Sequence, residues 1–175
     1  MKDHPYDTIS HAIDLAVRSH RGQLRKDGRT PALNHSLRVA LKVASMGAES
    51  AVIAAAVLHD VIEDTPASWD TVRDEVGERV AEQVQSLSED KRLPRTERRP
   101  ALLERLPHLP QWTKIIKLAD VLDNLHDLKN LDWSEEKQRR FLRDCRLFWE
   151  ACRNGSPDLA SEVDDLLCSL ERREN

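Results

Sequence analysis

A histidine and three carboxylates end an otherwise apolar run in this chain: Leu58-His59-Asp60-Val61-Ile62-Glu63-Asp64-Thr65 closes the segment that begins at Ala51. Ionisable groups at the end of a buried segment are costly unless they are paired or hold a metal. Residues four apart share a helix face, so a continuous helix would set Glu63 over His59 and Asp64 over Asp60. Ligands on one turn beside two acids on the next suit metal-assisted hydrolysis, in which the acids orient water or take its proton. Two more residues join them. His35 opens a helical segment after Thr30-Pro31-Ala32-Leu33-Asn34, and Asp120 interrupts the apolar stripe of Lys114-Ile115-Ile116-Lys117-Leu118-Ala119. His35, His59, Asp60 and Asp120 are therefore the candidate metal ligands, and Glu63 and Asp64 the candidate catalytic acids. Two imidazoles and two carboxylates suit an octahedral first-row divalent ion such as Mn²⁺ or Fe²⁺. Structural zinc would want four closed ligands, usually with cysteine among them. Adjacent side chains on a helix point about 100° apart, from ~3.6 residues per turn. His59 and Asp60 can share an ion only if it sits between their two directions.

The residues around these ligands point to what the ion works on. Arg21-Gly22-Gln23-Leu24-Arg25-Lys26-Asp27-Gly28-Arg29 is a basic, glycine-bent loop that leads into His35. Arginine holds phosphate through a bidentate fork and also stacks on nucleobases. Arg25 and Lys26 are thus candidates to bind a phosphorylated substrate, and an ordinary solvated loop is the alternative reading. Asn124 and Asp127 lie four and seven residues after Asp120, on its helix face, and Lys117 lies three before it. Asn124 suits a sugar hydroxyl or a phosphate without adding charge, or else satisfies a loop backbone.

These side chains need elements to carry them, and the periodicity is helical throughout. Expected apolar stripes are Ile9, Ala12, Ile13, Ala16, Val17 and Leu37, Ala40, Leu41, Ala44. The run from Ala51 to Leu58 is apolar all round, as in a central buried helix. Ser68 caps a helix carrying Trp69, Val72 and Val76 that stops at Gly77, and Val80, Val84 and Leu87 continue into another. Pro94 to Pro110 holds four prolines and reads as a mobile loop with a short basic helix at most. A long helix follows from Trp112 to Leu128. Phe141, Cys145, Phe148, Trp149 and Cys152 mark the next, ended by Asn154-Gly155, and Leu159, Val163, Leu166, Leu167 and Leu170 mark the last. The expected fold is all-α, a single compact helical bundle with the two His and two Asp brought together in its middle.

Composition narrows the class. At 175 residues, with 39% hydrophobic and 33% charged, the chain reads as one globular domain. No apolar run approaches the ~20 residues a bilayer span needs, and Met1-Lys2-Asp3-His4-Pro5 lacks the apolar core of a secretion signal. Cys145, Cys152 and Cys168 show no metal-binding spacing and read as free thiols, so a cytoplasmic protein is expected. A net charge of −4 argues against general nucleic-acid binding. His4, His108 and His126 read as surface histidines, and the tryptophans as core or loop anchors. The pattern leaves oligomeric state open.

The order His35, His59-Asp60, Asp120 resembles the HD phosphohydrolase superfamily. More narrowly, the chain resembles the hydrolase domain of RelA/SpoT alarmone enzymes and the small, Mesh1-like alarmone hydrolases. The matching pieces are Arg25-Lys26-Asp27, Thr30-Pro31, Asn34-His35, Leu58 to Thr65, Glu89-Asp90-Lys91, Lys117-Leu118-Ala119-Asp120 and Asn124-Leu125. The resemblance implies one Mn²⁺ per chain on His35, His59, Asp60 and Asp120. It implies that Glu63 and Asp64 handle the attacking water, that Arg25 packs on guanine and that Asn124 contacts substrate. The implied activity removes the 3′-pyrophosphate of the stringent-response nucleotides ppGpp or pppGpp, leaving GDP or GTP. With 175 residues there is no room for a synthetase domain, so residues 1–175 are expected to form a hydrolase domain alone. The chain departs from the family pattern at Ala32, usually an aromatic, and at Asp123, often Tyr or His. Lys137 and Phe141 stand where Mesh1-like proteins carry Arg and Tyr. The alternatives are another HD-type nucleotide phosphohydrolase, such as an NADPH phosphatase, and a non-catalytic metal-binding bundle. A purely structural site would have no use for both Glu63 and Asp64.

Overall fold

The computed structural model describes residues 4–172, so Met1 to Asp3, part of the segment read above as lacking the apolar core of a secretion signal, lie outside the described residues. Among the described residues the elements are helical: α1 (Pro5–Ser19), α2 (Leu33–Ser45), α3 (Ser50–Leu58), α4 (Val61–Asp64), α5 (Trp69–Val76), α6 (Glu78–Leu87), α7 (Arg95–Arg105), α8 (Gln111–Leu128), α9 (Glu135–Cys152) and α10 (Pro157–Glu171). Extended pairing is limited to one isolated bridge between Leu24 and Pro31. The all-α expectation therefore holds.

Two helices form the centre. α3 buries Val52 and every residue from Ala54 to Leu58 and packs against α1, α2 and α6. A helix apolar all round leaves no face for water, so it must be enclosed on all sides. α8 is the second, packed against α2, α9 and α10 with Ile115, Ile116, Leu118, Ala119, Val121, Leu122 and Leu125 buried. Ser68 caps α5 in a reciprocal box with Thr71, and Gly77 ends it at φ 105°, where a β-carbon would be strained.

Four expectations need correction. The stripe on α2 is set by His35, Ser36, Val39, Ala40 and Val43, whereas Leu41 is 71% exposed and Leu37 is also turned outward. The face that carries His35 is drawn inward against α3 and α8, so helix phase follows the site rather than the leucines. On α1, Val17 is likewise exposed and Leu15 buried. Pro94 to Pro110 is not a loop but α7 followed by a 3₁₀ turn at Leu106–His108. Burial of Leu102 and Leu106 outweighs the helix-breaking tendency of Pro100 inside it. Finally, the helix does not run unbroken through His59. α3 ends at Leu58, and His59 and Asp60 form a turn before α4.

Candidate metal centre and active site

The turn after α3 answers the geometric objection to a shared ion. With the helix interrupted, His59 Nε2 and Asp60 Oδ2 come within 3.2 Å of each other instead of splaying apart. α2 delivers His35, whose Nε2 lies 3.2 Å from His59 Nε2 and 3.6 Å from Asp60 Oδ2. α8 delivers Asp120, with Oδ1 3.1 Å from His35 Nε2 and 3.8 Å from His59 Nε2. Ligand atoms of His35, His59 and Asp120 all lie within 4.8 Å of one another, and all three residues are buried. Asp60 touches both histidines but stands on the open side, with its side chain 27% exposed.

The donor set fits a cation. His59 Nδ1 lies 2.8 Å from the Ala56 carbonyl, which only accepts, so this nitrogen carries the proton. His35 Nδ1 lies 2.6 Å from Asp123 Oδ2 and is protonated for the same reason. In the neutral rings both Nε2 atoms are then bare lone pairs, facing each other and two carboxylate oxygens. Four acceptors converge, and Asn124 Nδ2, which donates to Asp120 Oδ1, does not reach between the two imidazole lone pairs and Asp60, so a proton or a cation among them relieves the opposition. Bonds of about 2.1 Å would put neighbouring octahedral ligands about 3 Å apart, close to these spacings. The same need appears in His59: burial alone would lower its pKa, but Asp60 and Asp120 raise it well above the ordinary imidazole value. Asp120 Oδ2 is taken by Lys117 Nζ at 2.7 Å, while Oδ1 accepts Asn124 Nδ2 and also faces the two histidines.

Glu63 and Asp64, on α4, stand beside this centre. Glu63 Oε2 accepts the Glu89 backbone N–H at 3.0 Å. Burial, and then the charge of Asp60, push the Glu63 pKa above the usual carboxylate range, although the Glu89 N–H and Lys117 pull the other way. Asp64 is ion-paired to Lys91, and its carbonyl accepts Gln23 Nε2 at 3.0 Å. Asp60, Glu63, Asp64 and Asp120 all line one cavity of about 450 Å³.

Arg25, Lys26 and Asn124 line that cavity too, so the basic loop reaches the site. Asp27 shapes the loop by accepting the Arg29 and Thr30 N–H groups at 2.8 and 2.9 Å. Arg25 is held from behind: Nε donates to Asp127 Oδ2 at 3.0 Å and Nη2 to Asn124 Oδ1 at 2.8 Å. Asn124 in turn donates to the Asp120 carbonyl at 3.0 Å and to its carboxylate. Lys26 Nζ sits 5.0 Å from the centre of the Phe141 ring and 5.6 Å from Trp133. Its pKa is lowered, first by burial and then by Arg25.

Sequence reasoning missed the far wall. Arg95, Arg98 and Arg99 from α7 and Lys137, Arg140, Phe141 and Phe148 from α9 complete the lining, with Trp133 just before α9. Arg98 and Arg99 both pair with the buried Glu89, at 2.7 and 2.6 Å. Trp133 is thus a wall of the cavity rather than only a loop anchor. Arg38 was also missed. It lies three residues after His35, on the same face, and that spacing alone pointed to it. His4, His108 and His126 are exposed as expected, and Cys145 and Cys152 are buried free thiols.

Comparison with known proteins agrees with this architecture. A family model described as HD domain matches residues 12–155. The chain is 38% identical over 141 residues to the guanosine-3′,5′-bis(diphosphate) 3′-pyrophosphohydrolase MESH1 of Xenopus tropicalis, an alignment that covers 77% of this chain and 79% of that one. MESH1 of Homo sapiens is 38% identical over 139 residues, covering 76% and 78%. A solved structure of a metazoan SpoT orthologue that hydrolyses ppGpp and plays a role in starvation responses matches with a TM-score of 0.88 at 30% identity, covering 95% of this chain and 97% of that one. The chain belongs to the HD-domain family, in the group that contains the MESH1 proteins.

Proposed function

We propose that this protein removes the 3′-pyrophosphate of ppGpp or pppGpp, giving GDP or GTP and pyrophosphate. The observation that carries the reading is the convergence of His35, His59, Asp60 and Asp120 beside a cavity whose far wall is rich in cations. Its similarity to the MESH1 proteins supports the same substrate. The metal ligands we assign are those four residues, and we assign the ion as one Mn²⁺ per chain on the mix of imidazole and carboxylate. When bound, such an ion makes water a nucleophile at neutral pH and offsets charge on the phosphate.

The chain's own groups do the rest. Glu63 takes the proton of the attacking water, and its raised pKa makes it a better base than an exposed glutamate. Asp64, anchored by Lys91, orients that water. The water oxygen joins the phosphorus nearest the ribose, the bond to O3′ breaks, and the ribose oxygen takes up a proton as pyrophosphate leaves. Arg25 packs on the guanine and Asn124 contacts the nucleotide from the Asp120 side. Lys26 and the arginines of α7 offset diphosphate charge. We assign residues 1–175 to one hydrolase domain, supported by a family match to residues 12–155 and by the packing of α10 on α8 and α9. We also assign it to the cytoplasm, on its free thiols and on the absence, among the described residues, of a helix long and apolar enough to cross a membrane.

Incubation of the purified protein with Mn²⁺ and ppGpp, followed by product separation, tests the reading. Intact pyrophosphate with GDP is expected. Orthophosphate released from NADPH, with ppGpp untouched, would replace it with a nucleotide phosphatase.

A further inference from the structure

Asp123 does not line the cavity, although it lies beside the metal-centre candidates. Its two oxygens are both occupied. Oδ2 receives His35 Nδ1 at 2.6 Å, and Arg38 grips the carboxylate from the other side, Nε on Oδ1 at 2.5 Å and Nη2 on Oδ2 at 2.9 Å. Arg38 Nη2 is itself fixed by Asp127 Oδ1 at 3.1 Å. The arrangement follows from two matched spacings. His35 and Arg38 are three apart on α2, Asp120 and Asp123 three apart on α8, and residues three apart share a helix face. Where the two helices cross, one residue of each pair therefore meets the cluster and the other meets its partner one turn away.

The two histidines are consequently backed unequally. His59 Nδ1 donates to a neutral carbonyl, that of Ala56, whereas His35 Nδ1 donates to a full carboxylate. A carboxylate behind an imidazole fixes the tautomer and makes the opposite nitrogen a stronger ligand. The two-point grip of Arg38 fixes this carboxylate behind the ring, on the side away from Nε2. We propose that Asp123, clamped by Arg38, is a positioning residue that holds His35 with Nε2 presented to the metal. It thereby sets metal affinity rather than nucleotide binding or water handling. This inference rests on the metal reading of His35 given above.

The test is Mn²⁺ binding to the full chain without nucleotide, followed by titration calorimetry, for wild type, Asp123→Asn and Arg38→Gln. Asp123→Asn should bind Mn²⁺ roughly 10–100-fold more weakly, the range for losing a carboxylate behind a metal-bound histidine. Arg38→Gln should show a smaller loss of the same kind. At saturating Mn²⁺ the turnover of Asp123→Asn should return to near wild type with KM for ppGpp unchanged. A general packing defect would not be rescued by metal. An unchanged Mn²⁺ affinity in folded Asp123→Asn overturns the inference, and so does turnover that stays low at saturating metal. If Asp123→Asn does not fold by circular dichroism, Arg38→Gln decides by the same two criteria. If wild type itself binds no Mn²⁺, the metal reading of the cluster fails, which separates that failure from this one.

Discussion

At the scale of residues, Glu63 and Arg25 are the side chains whose roles separate most cleanly. Glu63 is fixed by a backbone N–H and raised in pKa by burial and by Asp60. Glu63→Gln keeps its shape and can still accept that N–H, but cannot take a proton. Turnover should fall by roughly 10²-fold or more, the usual scale for a general base, with metal content unchanged. The pH profile gives a second check. A base must be ionised, so wild-type activity should fall on acidification through a value above the ordinary glutamate pKa of about 4.3. That limb should be missing from the residual activity of Glu63→Gln. Arg25 works differently, since Asn124 and Asp127 of α8 hold its guanidinium at the edge of the cavity. Arg25→Ala should raise KM about tenfold, equivalent to about 1–2 kcal/mol for a lost cation–π or charge-assisted contact. It should also blunt discrimination between guanine and adenine nucleotides. Measured kcat should move little, and a collapse of kcat with unchanged KM would assign Arg25 to the chemistry instead.

At the scale of elements, the residues that cluster at the centre stood out in the sequence as polar groups beside apolar runs, and such residues rarely lie there without a partner. His35, His59 and Asp120 all fit that description and are all buried. The helices that carry them were legible for the same reason, with α3 and α8 read almost to their ends. The turn at His59-Asp60 was not, because every residue near it is compatible with helix and no glycine or proline marks the break. The phase of α2 was misread because its leucines give the stronger apolar signal, whereas the smaller Ser36, Val39, Ala40 and Val43 face inward. α7 was lost because four prolines from Pro94 to Pro110 dominate any local rule, whereas in the fold burial of Leu102 and Leu106 decides. With α7 went the far wall of the cavity, since its arginines meet the site only through tertiary contacts. Leu106→Ala tests that weighting. Complete burial makes a loss of about 2–5 kcal/mol the expected cost in a urea titration, with the slope of the transition unchanged. A loss below about 0.5 kcal/mol, the size for a surface change, would return this segment to the status of a peripheral loop.

At the scale of the whole molecule, the centre is where α2, the α3–α4 turn and α8 converge, so the site is also a joint in the packing. On the ligand assignment proposed above, His35, His59 and Asp120, buried and drawn from three chain segments, leave lone pairs opposed until a cation stands between them. The unfolded chain cannot gather them, so metal binding should add to folding stability. At a free Mn²⁺ concentration one hundred times the dissociation constant the gain is about 2.7 kcal/mol. For a chain of this size each kcal/mol moves the midpoint by about 2–4 °C, so thermal unfolding in Mn²⁺ should lie about 5–10 °C above that in EDTA. The comparison needs two controls. His35→Ala should abolish most of the shift while keeping the helical spectrum, because one of the three buried ligands is gone. Glu63→Gln should keep the full shift, because Glu63 is assigned to water and not to the ion. A metal-dependent shift that survives His35→Ala would locate the stabilising ion somewhere other than this joint, and the absence of any shift in wild type would remove the ion from the account of the fold.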